Sequence, residues 1–182
     1  KSAVVRAKFQ GDVAVSALAS DGRHLFAASL PSAAIYKVDD KGNTTPFTDF
    51  STGAAAPNYV WAMSVHQGCL YVALGGHFPS VYKIDLKTAK KELLYQMEGK
   101  ARNVTALSVT DEAVFFGDDV GRVFRLSHGS PERPTVLYSF SDAEIKSIAP
   151  FDKGLAVAVN SRRFIPPPPP ARRRDRRPCR GA

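Results

Sequence analysis

The sequence predicts an all-β fold, namely a partial β-propeller with three complete four-stranded blades and partial blades at both ends. Four similar segments begin at Val15, Val60, Val104 and Ile145, a spacing of about 44 residues. A fixed period in this range is typical of propeller blades. Each segment opens a series of short apolar runs separated by polar turns, and no stretch shows the apolar period of a helix.

The first two runs of each repeat predict a β-hairpin. In the second repeat the segment Val60-Trp-Ala-Met63 is followed by a turn at 66–68 and by the run Leu70-Tyr-Val-Ala-Leu74. The other repeats keep this order, and their turns contain Asp or Gly, residues that tolerate tight hairpin geometry. The corresponding turns lie at 20–22, 110–112 and 152–154.

The next two runs predict the outer half of each blade. The third run places an aromatic, a basic and an aliphatic residue in the same order in three repeats, and apolar and polar residues alternate as in a half-buried strand. The fourth run is less regular, and Pro46 within it fits only at an unpaired sheet edge. Four consecutive strands with short turns favour one antiparallel sheet per repeat. A β-sandwich is the alternative, although it requires no repeating unit. The third runs are Ile35-Tyr-Lys-Val38, Val81-Tyr-Lys-Ile84 and Val123-Phe-Arg-Leu126, and the fourth runs lie at 45–50, 93–97 and 135–140.

The predicted propeller fragment covers residues 1–162, and residues 163–182 form a predicted disordered tail rich in Pro and Arg. The tail begins in the middle of a blade and contains five consecutive prolines, which cannot pair in a sheet. It is interpreted either as the product of a reading-frame shift or truncation, or as a genuine basic tail. Residues 3–9 resemble the outer strand of a preceding blade. The predicted blades lie at about 13–50, 58–97 and 102–140, with a partial blade at 143–160.

The charge of the chain is concentrated in this tail. The formal net charge is +8, but the residues from Arg162 onward contain eight arginines and a single acid, so the body is nearly neutral. A nucleic-acid partner is therefore predicted only if the tail is genuine. No apolar run approaches the ~20 residues that span a bilayer, so no membrane span is predicted. The four histidines and two cysteines lack zinc-ligand spacing. Neither a metal, a cofactor nor a cellular location is predicted.

The repeats resemble those of bacterial β-propeller proteins with WD-type or NHL-type blades. The resemblance extends over about residues 3–160 and lies in the order of an opening segment, a hairpin, an aromatic-basic-aliphatic strand and an outer strand. The Trp-Asp dipeptide of eukaryotic WD repeats is absent, and Gly-His occurs once, at Gly76-His77, and does not recur in each repeat. The resemblance implies the fold but not the function, because scaffolds, sensors, lyases and lactonases all occur among propellers. The second repeat shows the order best, in 60–63, 70–74, 81–85 and 93–95.

Ligands of a propeller usually bind at one face. This face is formed by the loops that enter the inner strands and by the loops that join the second and third strands. Aromatic residues in these loops suit stacking on a sugar or a peptide, although Trp61 has the alternative of packing between blades. Adjacent acids suit a hard cation, although they are also common turn formers. The predicted ligand-binding residues are Asn58, Tyr59, Trp61, His77, Phe78, Asn103, Asp118, Asp119 and Glu144.

The predicted function is that of a non-catalytic binding or scaffolding propeller, with a protein, peptide or glycan bound at this face. No catalytic residue is predicted. The alternative is a metal-dependent propeller enzyme of the lactonase or lyase type. Its ligands would come from Asn58, Asn103, Asp118, Asp119 and Glu144. Because an open arc of blades leaves apolar sides uncovered, self-association through the open blade edges is also predicted.

Overall fold

The computed structural model describes residues 7, 9, 11–51, 58–129 and 133–161, and these residues form strands and turns without a helix. The predicted outer strand at 3–9 lies largely outside the described residues, and the predicted tail at 163–182 lies wholly outside them. The strands are β1 Ala14–Ser20, β2 Leu25–Leu30, β3 Ala34–Val38, β4 Thr44–Asp49, β5 Asn58–His66, β6 Cys69–Gly76, β7 Ser80–Asp85, β8 Lys91–Gln96, β9 Val104–Val109, β10 Ala113–Asp118, β11 Arg122–Ser127, β12 Thr135–Ser139, β13 Ala143–Phe151 and β14 Gly154–Ser161.

Strands that are consecutive in the chain pair antiparallel and form separate sheets. Three sheets have four strands, in the orders β1-β2-β3-β4, β5-β6-β7-β8 and β9-β10-β11-β12, and β13 and β14 form a two-stranded sheet. We call them blades 1 to 4. The strands β1, β5, β9 and β13 are neighbours in space and form the inner strands. This architecture confirms the predicted fold, a partial β-propeller, and places Pro46 in the edge strand β4.

Each inner strand contains a β-bulge at the same place. The pairing with the second strand shifts between Val15 and Ala17, between Val60 and Ala62, and between Ile145 and Ser147. In blade 3 the partners of Gly117 and Asp118 are Ala106 and Val104, so one residue is again skipped. A bulge leaves one residue out of the ladder and redirects its side chain. The four skipped residues are Ser16, Trp61, Thr105 and Lys146.

The hydrophobic core lies between the blades. Alternate residues of a strand point to opposite faces, so a blade has a leading face toward the preceding blade and a trailing face toward the following one. In blade 2 the leading face carries Leu70 and Val72, whereas the trailing face carries Tyr71 and Ala73. The first core packs Phe26, Ala28 and Ile35 against Val60, Leu70 and Val72; the second packs Tyr71, Ala73 and Val81 against Val104, Val114 and Phe116; the third packs Ala106 and Val123 against Ile145 and Ile148.

Blade 4 is the least covered part of the described chain. Within the described residues it consists of one hairpin, and none of them forms a counterpart beside the outer strands of blade 3. A cleft of about 930 Å³ opens there, between strands β11 and β12 on one side and the hairpin on the other. It is lined by residues that include Phe115, Leu137 and Leu155.

Candidate functional site

The loops that enter the inner strands and the loops that join second and third strands lie at the same end of the blades. At this end Asn58 opens β5 and pairs with Gly76, which closes β6. The connection from blade 2 to blade 3 meets the β6–β7 loop there, because Met97 N donates to Pro79 O at 2.8 Å and Gly76 N donates to Arg102 O at 2.9 Å. We call this end the loop face.

Trp61 is the bulged residue of β5 and lies beside the loop face. Its side chain is 45% exposed, although the neighbouring Val60 is fully buried. Trp61 is also outside the three hydrophobic cores of the described residues. The bulge accounts for this difference, because it removes Trp61 from the strand alternation that turns Val60 toward blade 1. Trp61 nevertheless contacts residues of other blades, because its Nε1 donates to Asn103 and its side chain lines a cavity with Ser16 and Leu30.

A hydrogen-bonded chain from blade 3 holds the indole in place. Trp61 Nε1 donates to Asn103 Oδ1 at 2.9 Å, and Asn103 Nδ2 donates to Asp119 Oδ2 at 2.9 Å. The other carboxylate oxygen of Asp119 accepts from Arg102 N at 3.1 Å. The indole N–H therefore has a protein partner, and the 45% of Trp61 that stays exposed is available for contact.

Gly75 gives the indole its space. A Cβ atom at Gly75 would overlap both Asn103 Oδ1 and Trp61 Nε1. The main chain of Gly75 also forms an isolated bridge with Asn103. A side chain at this position would push Trp61 away from its acceptor, so glycine is required here by close approach rather than by an unusual backbone angle.

A small apolar cavity adjoins the ring. It has a volume of about 190 Å³ and is lined by Ser16, Leu30, Tyr59, Val60 and Trp61. It lies where blade 1 meets blade 2 at the loop face. The predicted residues Tyr59 and Trp61 therefore line the same cavity. Asn103 and Asp119 form the hydrogen-bonded chain that holds Trp61.

The aromatic pair on the β6–β7 loop belongs to other clefts. The rings of His77 and Phe78 meet edge to face at 4.2 Å, and Phe78 is 44% exposed. Phe78 lines a cleft of about 380 Å³ with Tyr82 and Lys91, whereas His77 lines one of about 480 Å³ with residues of the connection to blade 3. The predicted aromatic residues are thus divided among three clefts.

Two predicted site residues are buried and hold loops in place. Asn58 accepts a hydrogen bond from Phe78 N at 3.1 Å and donates one to Phe50 O at 3.2 Å. Asp118 is fully buried; it accepts from Val120 N at 3.1 Å and pairs with Arg122 Nε at 2.7 Å. These contacts fix the β6–β7 and β10–β11 loops.

Glu144, the predicted site residue of blade 4, pairs with the bulged residue Lys146, with Oε1 and Nζ separated by 2.6 Å. Among the described residues, no group of three or more His, Cys, Asp or Glu side chains could hold a metal ion. Nor does the described part of the chain contain a helix that is long and apolar enough to cross a membrane.

Several residues of the loop face were not found from the sequence. Asp12 holds the β2–β3 loop of blade 1, where it accepts from Ser32 N at 3.3 Å and from the Tyr36 hydroxyl at 3.5 Å. Burial alone would raise the pKa of Asp12, but hydrogen bonds from Ser32, Ser29 and Tyr36 outweigh it, and the pKa is lowered. The bulged residues Ser16, Thr105 and Lys146 were also missed. Their signal was the second position of each opening segment, where a polar or aromatic residue interrupts an apolar run.

Comparison with known proteins supports the fold of this chain but assigns it to no family. No protein-family model matches the sequence. No curated protein matches it either. The structure is similar to the computationally designed Ika4 protein, with a TM-score of 0.57 and 17% identity over 88% of this chain and 99% of that one. It is also similar to a chain of the nidogen/laminin complex, with a TM-score of 0.66 and 17% identity over 81% of this chain and 56% of that one.

A third similar structure is the extracellular domain of a hybrid two component system from B. thetaiotaomicron, with a TM-score of 0.60 and 18% identity over 80% of this chain and 20% of that one. The chain thus spans 56% of the nidogen/laminin neighbour and 20% of the bacterial one. At these identities the likeness is one of fold, and it agrees with the partial β-propeller described above.

Proposed function

We propose that this chain is a non-catalytic binding propeller whose loop face holds a protein or peptide partner on the exposed ring of Trp61. The observation that carries the proposal is the combination of 45% exposure with a fixed indole position, set by the 2.9 Å bond to Asn103. A large aromatic side chain that is exposed and already ordered loses little conformational freedom on binding. Tryptophan is also enriched among the residues that dominate protein interfaces.

The chemistry around the ring favours an apolar side chain of the partner. Trp61 Nε1, both ends of the Asn103 amide and both carboxylate oxygens of Asp119 already have protein partners. The adjoining cavity of about 190 Å³ is lined mainly by apolar side chains. A leucine, methionine or aromatic side chain would fill such a space. The nidogen/laminin neighbour comes from a protein complex, which accords with this choice.

The finer predictions rest on other features. A glycan would also stack on an indole ring, and it is the second ligand class to be tested. Membership of the bacterial WD-type or NHL-type propellers and a scaffolding role rest on the resemblance of the repeats. A nucleic-acid partner depends on residues 163–182, which carry most of the basic excess. Self-association uses the open blade edges, which are distinct from the Trp61 surface.

The enzyme alternative would draw its metal ligands from residues that have other contacts in the structure. Asp118 is paired with Arg122, Glu144 with Lys146, and Asn103 with Trp61. A metal would have to displace these partners. Titration with Ca²⁺, Mg²⁺, Mn²⁺ and Zn²⁺ followed by thermal melting tests this alternative, since a metal bound to the native state raises the midpoint.

The binding proposal is tested through Trp61 itself, because it is the single tryptophan of the chain. A phage-displayed library of short peptides is selected on the full chain, and the enriched peptide is synthesised and titrated while tryptophan emission is recorded. We expect a peptide with an apolar or aromatic residue and a shift of the emission. Because Trp61→Ala has no tryptophan, the affinities of the parent chain and the variant are compared through the anisotropy of a fluorescein-labelled peptide, and we expect binding about tenfold weaker or worse for Trp61→Ala.

The control is Leu93→Ala, which removes a comparably exposed apolar side chain from the outer strand of the same blade. It should bind the peptide like the parent chain. Equal binding by Trp61→Ala would contradict the proposal. Glycans that bind on an array are titrated in the same way. If a glycan changes the Trp61 emission and no peptide does, the ligand is a glycan.

A further inference from the structure

The first residue of the opening segment is buried in blades 2, 3 and 4 but exposed in blade 1. The first residue of the opening segment is a branched aliphatic residue, and Val60, Val104 and Ile145 are all fully buried against the preceding blade. Val15 occupies the same position in blade 1 but is 43% exposed. Three residues later, Ile148 of blade 4 is 6% exposed, whereas its equivalent in blade 1, Leu18, is 57% exposed. The leading face of blade 1 therefore lacks the neighbour that its pattern anticipates.

The small residues that contact these branched residues show the converse difference at the other end of the described chain. Each buried branched residue lies in a core with a small residue from the second strand of the preceding blade, namely Ala28, Ala73 or Gly117. At Gly117 the fit is so close that a Cβ atom would overlap Ile145 Cγ2. The equivalent residue of blade 4 is Ala158, which is exposed. Among the described residues, Val15 on blade 1 and Ala158 on blade 4 are thus left without the neighbour that their equivalents have.

The uncovered part of blade 1 also corresponds to the part of a blade that blade 4 supplies. The ring of Phe9 meets that of Tyr36 of blade 1 in a tilted contact at 5.0 Å, and Phe50 meets Tyr82 of blade 2 in the same way at 5.0 Å. The outer part of the leading face of blade 1 is therefore already covered in the way that blade 1 covers blade 2. The inner part, with Val15 and Leu18, stays open, and the described residues of blade 4 form the inner hairpin of a blade.

We propose that two copies of this chain assemble head to tail about a two-fold axis, with blade 1 of each copy packed on blade 4 of the other. Val15 of one copy would then lie against Ala158 of its partner, as Ile145 lies against Gly117 within the chain. Within one chain the two faces are not joined, because Val15 and Leu18 are exposed. A two-fold arrangement satisfies both open faces with the fewest copies, and it closes the ring instead of extending it as a filament. The nearly neutral body opposes this contact little.

The test is the mass of the full chain in solution, measured by light scattering after size exclusion with a reductant present to exclude disulfide-linked pairs. The expected mass is about twice the 19.7 kDa of one chain. Val15→Asp and Ala158→Arg each place a charge in both copies of the interface, and each should halve the mass. Both positions are exposed in the single chain, so both variants should keep the β circular dichroism and cooperative melting of the parent.

Mixing the two variants gives the sharpest outcome. A mixed pair has one unaltered interface and one interface in which the introduced aspartate meets the introduced arginine, so mixing should restore the doubled mass. Leu93→Asp, at an exposed position on an outer strand, is the control that should leave the mass unchanged. A monomeric parent chain, a mass above two copies, a pair that survives both variants, or a mixture that stays monomeric would each overturn the proposal. None of these outcomes bears on Trp61.

Discussion

Strands β6 and β14 occupy the same position in blades 2 and 4, yet they differ sharply in burial. In β6 the residues Leu70 to Leu74 are all buried, because the leading and trailing faces are both covered. In β14 the alternation is the same, but only Leu155 and Val157 are partly covered, and Val159 is 41% exposed where Leu74 is 1% exposed. The strand pattern therefore determines which face a residue belongs to, and the neighbouring blade determines whether that face is buried.

The largest expected effect concerns Asp118, which takes the place of Leu74 in blade 3. Asp118→Leu restores an apolar residue there but leaves Arg122 without its partner, so we expect a loss of about 3 kcal/mol in the free energy of unfolding. The double variant Asp118→Leu/Arg122→Ser copies the Leu74 and Ser80 pair of blade 2 and should recover most of this loss. Urea unfolding measures both. A single variant as stable as the parent would show that blade 3 does not depend on the ion pair.

The second effect compares Gly117 with Ala158, which are equivalent residues of neighbouring blades. Gly117→Val would collide with Ile145, and overpacking of this kind costs about 2 kcal/mol. Ala158→Val lies on an exposed face and should change the free energy of unfolding by less than about 0.5 kcal/mol. Both variants are made in the Val15→Asp background, so that assembly does not contribute to the urea midpoints. Equal losses would mean that the trailing face of blade 4 is covered within one chain.

A third and smaller effect compares Asn103 with Glu144, which precede the opening segments of blades 3 and 4. Asn103→Ala removes the acceptor of the Trp61 N–H and should cost about 1 kcal/mol. It should also lower the anisotropy of the tryptophan emission and move its maximum to the red, since the ring is no longer held. Glu144→Ala breaks the contact with Lys146 instead and should leave the emission unchanged. An unchanged emission in both variants would contradict a fixed indole.

The smallest effect is pH dependent and concerns the β1–β2 turn. Burial opposes ionisation of Asp21, but hydrogen bonds from His24 and from the main chain of Arg23 lower its pKa to about 2. This pKa is below the value of about 3.9 for an unfolded chain. The carboxylate therefore stabilises the fold above about pH 4, and this contribution is lost as the pH falls through about 2. Asp21→Asn should lower the melting temperature at pH 6 and have little effect at pH 2.

The matched control is Asp152→Asn, in the equivalent turn of blade 4. Asp152 has a left-handed backbone, with φ of 50°, which asparagine also tolerates. Its melting temperature should stay close to that of the parent at both pH values. A difference for Asp21→Asn that persists at pH 2 would trace its effect to the turn geometry instead of the charge.

The sequence was sufficient to predict an all-β partial propeller but not the details of the loop face. The strands follow from local patterns that recur, such as the opening segments at Val15 and Val60, and a repeat reinforces each weak signal. The bulge that exposes Trp61 depends on the register between β5 and β6, and the alternation of residue types does not encode a skipped residue. Asn103 lies 42 residues from Trp61, so their hydrogen bond depends on how two blades pack. The sequence predicts Asp118 as a loop-face residue but does not predict its burial, which depends on pairing with Arg122 four residues later.

The single hairpin of blade 4 has a consequence for how the chain opens. With one packed face and two strands, β13 and β14 have fewer restraints than any complete blade, so local unfolding should begin there and progress inward. Backbone amides of β14 should then exchange with deuterium fastest among the strands, those of β6 and β10 slowest. If copies join as we infer, raising the protein concentration should slow exchange in β14 first. Slower exchange confined to β14 and β1 would place the new contact at both ends of the chain.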